Sequence, residues 1–429
     1  MNCSANGNLY SDREVMPVDS TITHTPIVLE VMVVGLGPAG STAVRFLSEA
    51  GVRVSGFDRS DFPRSKTCGG GVSARSVPFL PTGWDNIPHT ITTGVSLVYL
   101  DHDPVEVDMG RPIAYQFRRE EFDLFLVERA KDAGGHLLMG RTVISLVWNG
   151  TLFRLTTDQS EIFESPVLIA ADGATSQVYR SLCNSISRQT NQVKKKHSFP
   201  HGYPSSEKVV KCERPVRHSD VLIDLSTVPG GYGWSFPKCG EVNNVGVVSF
   251  AKPLGNPLES LKVFSGKVGG KRDPSEEESK PRTWMIPDFQ ESKMHGIIPG
   301  LFFIGDAGGM VDPFLGEGIY YAMLSAKKAI SEILRYRKQP ERASQSYAEW
   351  AVKDIFRDFS QARRLASIIY RFPGIYFRLV QKYPHILSLY SMILCGSHDY
   401  RSFSRTIGKT LLNLPFRRFF PRLRSNRLV

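Results

Sequence analysis

The feature that most constrains this chain is the segment IVLEVMVVGLGPAGSTAVRFLSEAG, from Ile27 to Gly51. Ile27 to Gly35 is a short apolar run of the kind a strand shows when both faces of a parallel sheet are covered. It passes directly into GLGPAG, which sets Gly35, Gly37 and Gly40 at G-x-G-x-x-G spacing ahead of a helix that ends at Gly51. The first glycine permits the tight turn, and the second lets a pyrophosphate approach the backbone. The third lets the helix pack closely on the strand, so that the helix N-terminus faces the phosphates. VRVSGFD follows as a second strand and ends in Asp58, where an acid accepts hydrogen bonds from an adenosine ribose. Such a β-α-β unit predicts dinucleotide binding without separating NAD from FAD.

The separation comes from the other end of the chain. GLFFIGDAGGMVDPFLGEGIYYAM (Gly300 to Met323) reads as an apolar strand, then Gly-Asp, a glycine-rich turn and a second helix start. Asp306 at the strand end suits the ribityl chain of a flavin. A helix N-terminus after Gly316 and Gly318 stabilises negative charge on a reduced ring. An NAD dehydrogenase has no use for this second site. RREEFD, with Arg119 ahead of Phe122 and Asp123, and ADGATS (Ala171 to Ser176) after a buried strand agree with a flavin.

Taken in order, GxGxxG, RxxFD, ADGxxS and GDAxGxxxPxxGEG resemble the flavin monooxygenase superfamily with the p-hydroxybenzoate hydroxylase fold. KTCGGGVS (Lys66 to Ser73) and GGYGWSFPK (Gly230 to Lys238) narrow the resemblance to the geranylgeranyl reductase family, over about residues 28 to 340. The resemblance implies an α/β (mixed α+β) fold: a discontinuous Rossmann-like FAD-binding domain, an antiparallel-sheet substrate domain and a C-terminal helical region. It implies that Gly35, Gly37, Pro38, Ala39, Gly40, Asp58 and Arg59 hold the ADP half of FAD, supported by Arg119, Asp172 and Gly173. Asp306 takes the ribityl, and Gly69, Gly70, Gly316, Gly318 and Ile319 line the isoalloxazine. The arginine that follows the DG motif in the family stands displaced at Arg180. The implied activity is FAD-dependent saturation of isolated double bonds in polyprenyl chains, with NADPH or a reduced ferredoxin as electron donor.

Along the chain, residues 1–26 are polar and aperiodic, without the apolar core of a secretory signal, and are expected to be a disordered leader. The FAD domain is assigned to 27–85, 112–184 and 290–343, and the substrate domain to 86–111 and 185–289. Within the latter, 185–218 is polar and basic and is expected to be an insertion or long loop, with Lys194 to Lys196 a solvated run. Residues 344–429 read as helical, broken at Phe372-Pro373 and near Pro384.

The six cysteines are scattered with no CxxC pair, which argues against a zinc site, an iron–sulfur cluster or a disulfide framework and fits a reducing cytoplasm. The net charge of +11 is concentrated: Arg401 to Val429 holds eight basic residues and no acid. Basic residues alternating with Leu, Ile and Phe suit an anionic membrane surface, and a frayed solvated tail is the plainer alternative. No run reaches the roughly 18 to 20 apolar residues of a membrane-spanning helix. The expected setting is therefore cytoplasmic and peripheral to a membrane, with no nucleic-acid role.

Three residues are candidates for the chemistry. Cys68, in the glycine loop, could donate the proton that alkene saturation needs or could simply pack there. Tyr232 and Trp234 alternate with Phe236 at strand spacing, so they face one side together, either as the wall of an apolar channel or as ordinary core. An aromatic hydroxylase or halogenase on the same fold, a quinone-reducing electron-transfer flavoprotein and a flavin-free lipid binder are the competing readings. The YGWSFP loop, where halogenases carry W-x-W-x-I-P, speaks against the halogenase.

Overall fold

The glycine motifs are carried by five parallel strands. In a computed structural model that describes residues 25–182, 202–211, 220–239, 242–250, 256–268, 279–289, 298–403 and 405, these lie in the order Leu301–Phe303, Leu168–Ala170, Val31–Val34, Val54–Phe57, His136–Leu138. The central strands are buried along their whole length, as their unbroken apolar sequences require. The helices Pro38–Glu49 and Ile319–Arg335 pack against each other beside the glycine turns. A meander of Val143–Trp148, Phe153–Thr157 and Ile162–Ser165 pairs with the short strand Ile27–Val28 and joins the same core. There Phe163 meets Phe57 edge-on at 4.8 Å.

The second layer is a seven-stranded sheet in the order Arg282–Pro287, Gly202–Lys211, Val242–Ser249, Gly231–Lys238, Asp220–Asp224, Gly94–Val98, Val105–Asp108. All its pairs are antiparallel except Asp220–Asp224 with Gly94–Val98. One face is covered by the helix Pro257–Val268 through Val245, Val247, Leu261 and Phe264. The other face turns toward the parallel sheet.

This sheet corrects one expectation. Residues 202–211, assigned to an insertion or loop, form a ten-residue strand between two partners. Its polarity was misleading because Ser205, Ser206, Glu207 and Lys208 are all buried in it. The rest of 185–218 lies outside the described residues, as do most of the leader, Lys194 to Lys196 and the basic tail from residue 406.

A small sheet of Gly71–Ser73, Ala114–Phe117 and His89–Thr92 bridges the two layers. The C-terminal helices run Pro340–Trp350, a π-helical turn Ala351–Phe356, Arg357–Arg371, Pro373–Lys382 and His385–Leu394. The breaks fall before Pro373 and Pro384, where Phe372 (φ −130°, ψ 55°) and Tyr383 (φ −132°, ψ 73°) leave the helical region, as residues preceding proline tend to. Tyr370, Phe377 and Ile393 on these helices share one apolar core with Tyr232, Trp234 and Phe314. The C-terminal region therefore braces the seven-stranded sheet. No helix among the described residues is long and apolar enough to cross a membrane.

Candidate functional site

A cavity of about 640 Å³ lies between the parallel sheet, the seven-stranded sheet and the KTCGGG loop. Of the residues singled out from sequence, Cys68, Tyr232, Trp234, Gly35, Gly37, Pro38, Ala39, Asp58, Arg59, Gly69, Gly70, Arg119, Asp172, Gly173, Asp306, Gly316, Gly318 and Ile319 all line it. Gly40 does not. It packs behind the turn, where a Cβ would lie 1.8 Å from the Gly35 carbonyl oxygen, so its glycine serves helix–strand contact.

The first glycine turn is held from within. Gly35 has φ +96°, and a Cβ there would lie 2.3 Å from the Ala171 carbonyl oxygen. The Asp58 carboxylate accepts from Leu36 N at 2.8 Å and from Ser60 N at 2.9 Å, so it fastens the turn as well as facing the cavity. The helix that begins at Pro38 has Gly37 as its N-cap, no side-chain cap and no acid in its first turn. Among the described residues, a Cβ on Gly37 would have only Arg64 Nη2 within reach, at 3.5 Å. Bare N–H groups, open backbone and a nearby guanidinium make this corner an anion cradle.

Across the cavity, the helix starting at Ile319 has Gly318 as its N-cap and is likewise uncapped. Asp306 stands beside it, with Oδ1 3.4 Å from where a Gly318 Cβ would be. Asp172 accepts from Gln177 N (2.6 Å) and Val178 N (3.0 Å) through Oδ2, while its buried Oδ1 has no partner among the described residues, and burial raises its pKa. A flavin dinucleotide suits this inventory: two free helix N-termini, an orphan carboxylate oxygen and open space at Gly37 and Gly173.

Other expected residues are committed to the protein itself. Arg119 is buried in a bidentate pair with Asp123 (2.8 and 2.7 Å); despite burial, Asp123 holds its pKa above the ordinary value. Arg180 folds back onto the carbonyls of Thr175 and Ser176. The Tyr232 hydroxyl donates to the Leu315 carbonyl at 2.7 Å, tying the sheet to the GEG loop, where Gly316 has φ +69°. The Trp234 indole donates to Asn244 Oδ1 at 2.9 Å and lies over Gly246, whose Cβ would be 2.1 Å from the ring. Tyr232, Trp234 and Phe236 do face the cavity as a row.

Three functional candidates were not singled out from sequence. Arg64, in the segment before KTCGGG, stands at the anion cradle and also reaches Asp123 at 3.5 Å. Lys238, the last residue of YGWSFPK, is buried and donates to the carbonyls of Gly69 (2.6 Å) and Phe117 (2.9 Å). Burial pushes its pKa down to about 7, against the pull of Cys68 and Glu207. Glu207 is buried, accepts from Cys68 N at 2.8 Å, and has its pKa raised by burial. Lys238 carried a signal only in closing the YGWSFPK motif. Glu207 carried none.

Comparison with known proteins places the chain. Residues 28–201 match the FAD binding domain model. Menaquinone reductase of Mycobacterium tuberculosis is 30% identical over 363 residues, covering 79% of this chain and 84% of that protein. Geranylgeranyl diphosphate reductase of Rhodobacter capsulatus is 27% identical, covering 72% and 76%. The chain belongs to the geranylgeranyl reductase family of FAD-dependent oxidoreductases. The solved geranylgeranyl bacteriochlorophyll reductase-like protein of Thermoplasma acidophilum shares the family fold, with a TM-score of 0.67 at 20% identity over 81% of this chain and 88% of that one. The protein is accordingly an FAD-dependent oxidoreductase with the mixed α/β architecture of that family.

Proposed function

We propose that this oxidoreductase saturates isolated double bonds in the polyprenyl chain of a lipid. The observation that carries the reading is the aromatic row Tyr232, Trp234 and Phe236, set against a glycine loop so closely that a Cβ on Gly69 would lie 2.8 Å from the Phe236 ring. An isolated alkene is a poor hydride acceptor, so a site that reduces one must hold it close and keep water out. Flat apolar walls over a thin loop meet that need. Menaquinone and geranylgeranyl diphosphate, for which two relatives are named, differ at the head and share the polyprenyl chain.

Bound FAD, once reduced, supplies the hydride. The protein's part is to hold and orient. Gly35, Gly37 and the helix start at Pro38 and Ala39, with Arg64, bind the pyrophosphate, and Asp58 with Arg59 faces the ribose. Asp172 and Gly173 would support the ADP half, and Asp306 would take the ribityl chain. Gly69, Gly70, Gly316, Gly318 and Ile319 bound the ring. Anaerobic, dithionite-reduced protein mixed with geranylgeranyl diphosphate or menaquinone tests this by mass spectrometry. Two hydrogens gained per saturated bond, with flavin reoxidised in step, is the expected result. Flavin that stays reduced with every prenyl compound, yet reoxidises with oxygen and an aromatic, would refute it.

A lipid substrate calls for contact with a bilayer, and we place that contact at the elbow between Arg357–Arg371 and Pro373–Lys382. Ile368, Phe372, Ile375 and the neighbouring Leu100 are each more than half exposed. Tyr99 packs on Gly374 and brings Leu100 to the same corner. Residues 357–382 carry six basic residues and one acid. Exposed apolar side chains on a stretch rich in basic residues match an anionic lipid surface, where each basic residue contributes about 1 kcal/mol.

A further inference from the structure

We propose that Glu207 delivers the proton in the reduction, and that Lys238 acts with it as a positioning residue; the assignment rests on the polyprenyl-reductase reading. Saturating an alkene needs a hydride at one carbon and a proton at the other. The thiol of Cys68 is arranged as an acceptor, since Gly70 N donates to Sγ at 3.4 Å.

Glu207 is arranged differently. Strand register sets it beside Gly246, which in turn sits beside Trp234, so the carboxyl and the indole flank a glycine on the cavity face. Oε1 accepts from Cys68 N at 2.8 Å, and Oε2 accepts from Asn244 Nδ2 at 3.2 Å. Asn244 Oδ1 is already taken by the Trp234 indole, which fixes the amide so that it can only donate to Glu207. A protonated Oε2 thus keeps a lone pair for Asn244 and has its O–H left over for the cavity.

The Cys68–Gly69 dipeptide is also held at both ends by buried side chains, one acidic and one basic. Glu207 takes the Cys68 N–H, and Lys238 donates to the Gly69 carbonyl. The groups that bear on Glu207 are Lys238 two strands away in the same sheet, Arg119 on the helix Arg119–Asp132, and the Cys68 backbone with Asn244. All of these lower its pKa, and burial outweighs them. The carboxyl is thereby kept protonated above the ordinary range, as a general acid requires.

In the step itself, the alkene π pair forms a C–H bond with the proton of Oε2 at one carbon. The other carbon takes the hydride that the reduced cofactor supplies. The alkene is reduced by two electrons and the flavin oxidised by two; Glu207 is left as carboxylate and regains its proton from water once the product leaves.

The test compares holo wild type with E207Q and E207D. Single-turnover flavin reoxidation by a prenyl substrate should slow by about 100-fold or more in E207Q and partly recover in E207D, with the FAD spectrum and flavin content unchanged. Independently of substrate, infrared spectra of the wild-type holoprotein at neutral pH should show a protonated carboxyl band that is absent from E207Q. Turnover in E207Q within a few-fold of wild type, loss of FAD from E207Q, or absence of the band would each overturn the donor role. Wild type that reduces no prenyl compound sinks the functional reading, and the donor role with it. Turnover by wild type together with an undiminished E207Q sinks the donor role alone.

Discussion

Replacing Lys238 with methionine separates what a buried charge costs from what its hydrogen bonds contribute. The amino group ties the Gly69 and Phe117 carbonyls at 2.6 and 2.9 Å. Losing both ties leaves two buried acceptors without donors, at about 1–3 kcal/mol each. Against that, the wild type carries a lysine whose pKa falls from 10.5 to about 7 on folding. At about 1.4 kcal/mol per pH unit, that burial costs about 4 kcal/mol at pH 7 and about 2 kcal/mol at pH 9. The two effects nearly cancel at pH 7, so Lys238→Met should change global stability there by less than about 2 kcal/mol. The sign of the pH dependence follows from proton counts. Between pH 7 and 10.5 the unfolded chain binds the proton and the folded one does not, so wild type gains stability with rising pH and the methionine variant lacks that gain. Urea unfolding of both holoproteins at pH 7 and 9 should show wild type drawing ahead by about 2 kcal/mol over that interval. Buried tyrosines titrate in both proteins and drop out of the comparison. Loosening of the Cys68–Gly69 segment should also speed FAD release from the variant. Equal stability changes in the two proteins between pH 7 and 9 would refute the argument that Lys238 is buried with its charge suppressed.

Further outcomes follow from other contacts. Gly40→Ala forces a Cβ into the Gly35 carbonyl, so the protein should purify with less than a tenth of the wild-type flavin, read from its visible absorbance. Tyr400→Phe removes the 2.6 Å hydroxyl bond to the buried Asp312 carboxylate behind the GEG loop, and urea midpoints should report a loss of about 1–3 kcal/mol. Asp312 itself is raised by burial to about 6. Its folded form holds a proton that the unfolded chain gives up near 3.8, so its contribution falls as pH rises from 4 to 6; Asp312→Asn should flatten the thermal-melting profile over that range. Phe372→Glu with Ile375→Glu should abolish cosedimentation with anionic vesicles at low salt while leaving the flavin spectrum intact. Undiminished cosedimentation would rule out the elbow, and a change in oligomeric state on light scattering would point instead to contact with a second copy.

The parts of the site legible in sequence were those whose requirement is local. Gly35 and Gly40 are dictated by backbone a few ångströms away, so a six-residue spacing carries them, and the row Tyr232, Trp234, Phe236 follows from a period of two within one strand. Glu207 could not be reached that way. Its meaning comes from lateral register with Gly246 and Trp234, residues 39 and 27 positions along the chain, and a sequence shows periodicity along a strand but not alignment across strands. Its own strand also concealed it: Ser205, Ser206, Glu207 and Lys208 are all buried, so the alternation that marks a half-buried strand is missing, and the segment reads as a polar insertion. The same physics made both the error and the site. A strand that must offer a carboxyl to a buried cavity gives up the apolar pattern that would announce it, so polar stretches flanked by good strands are where the covering sheet of such an enzyme should be searched for its acid.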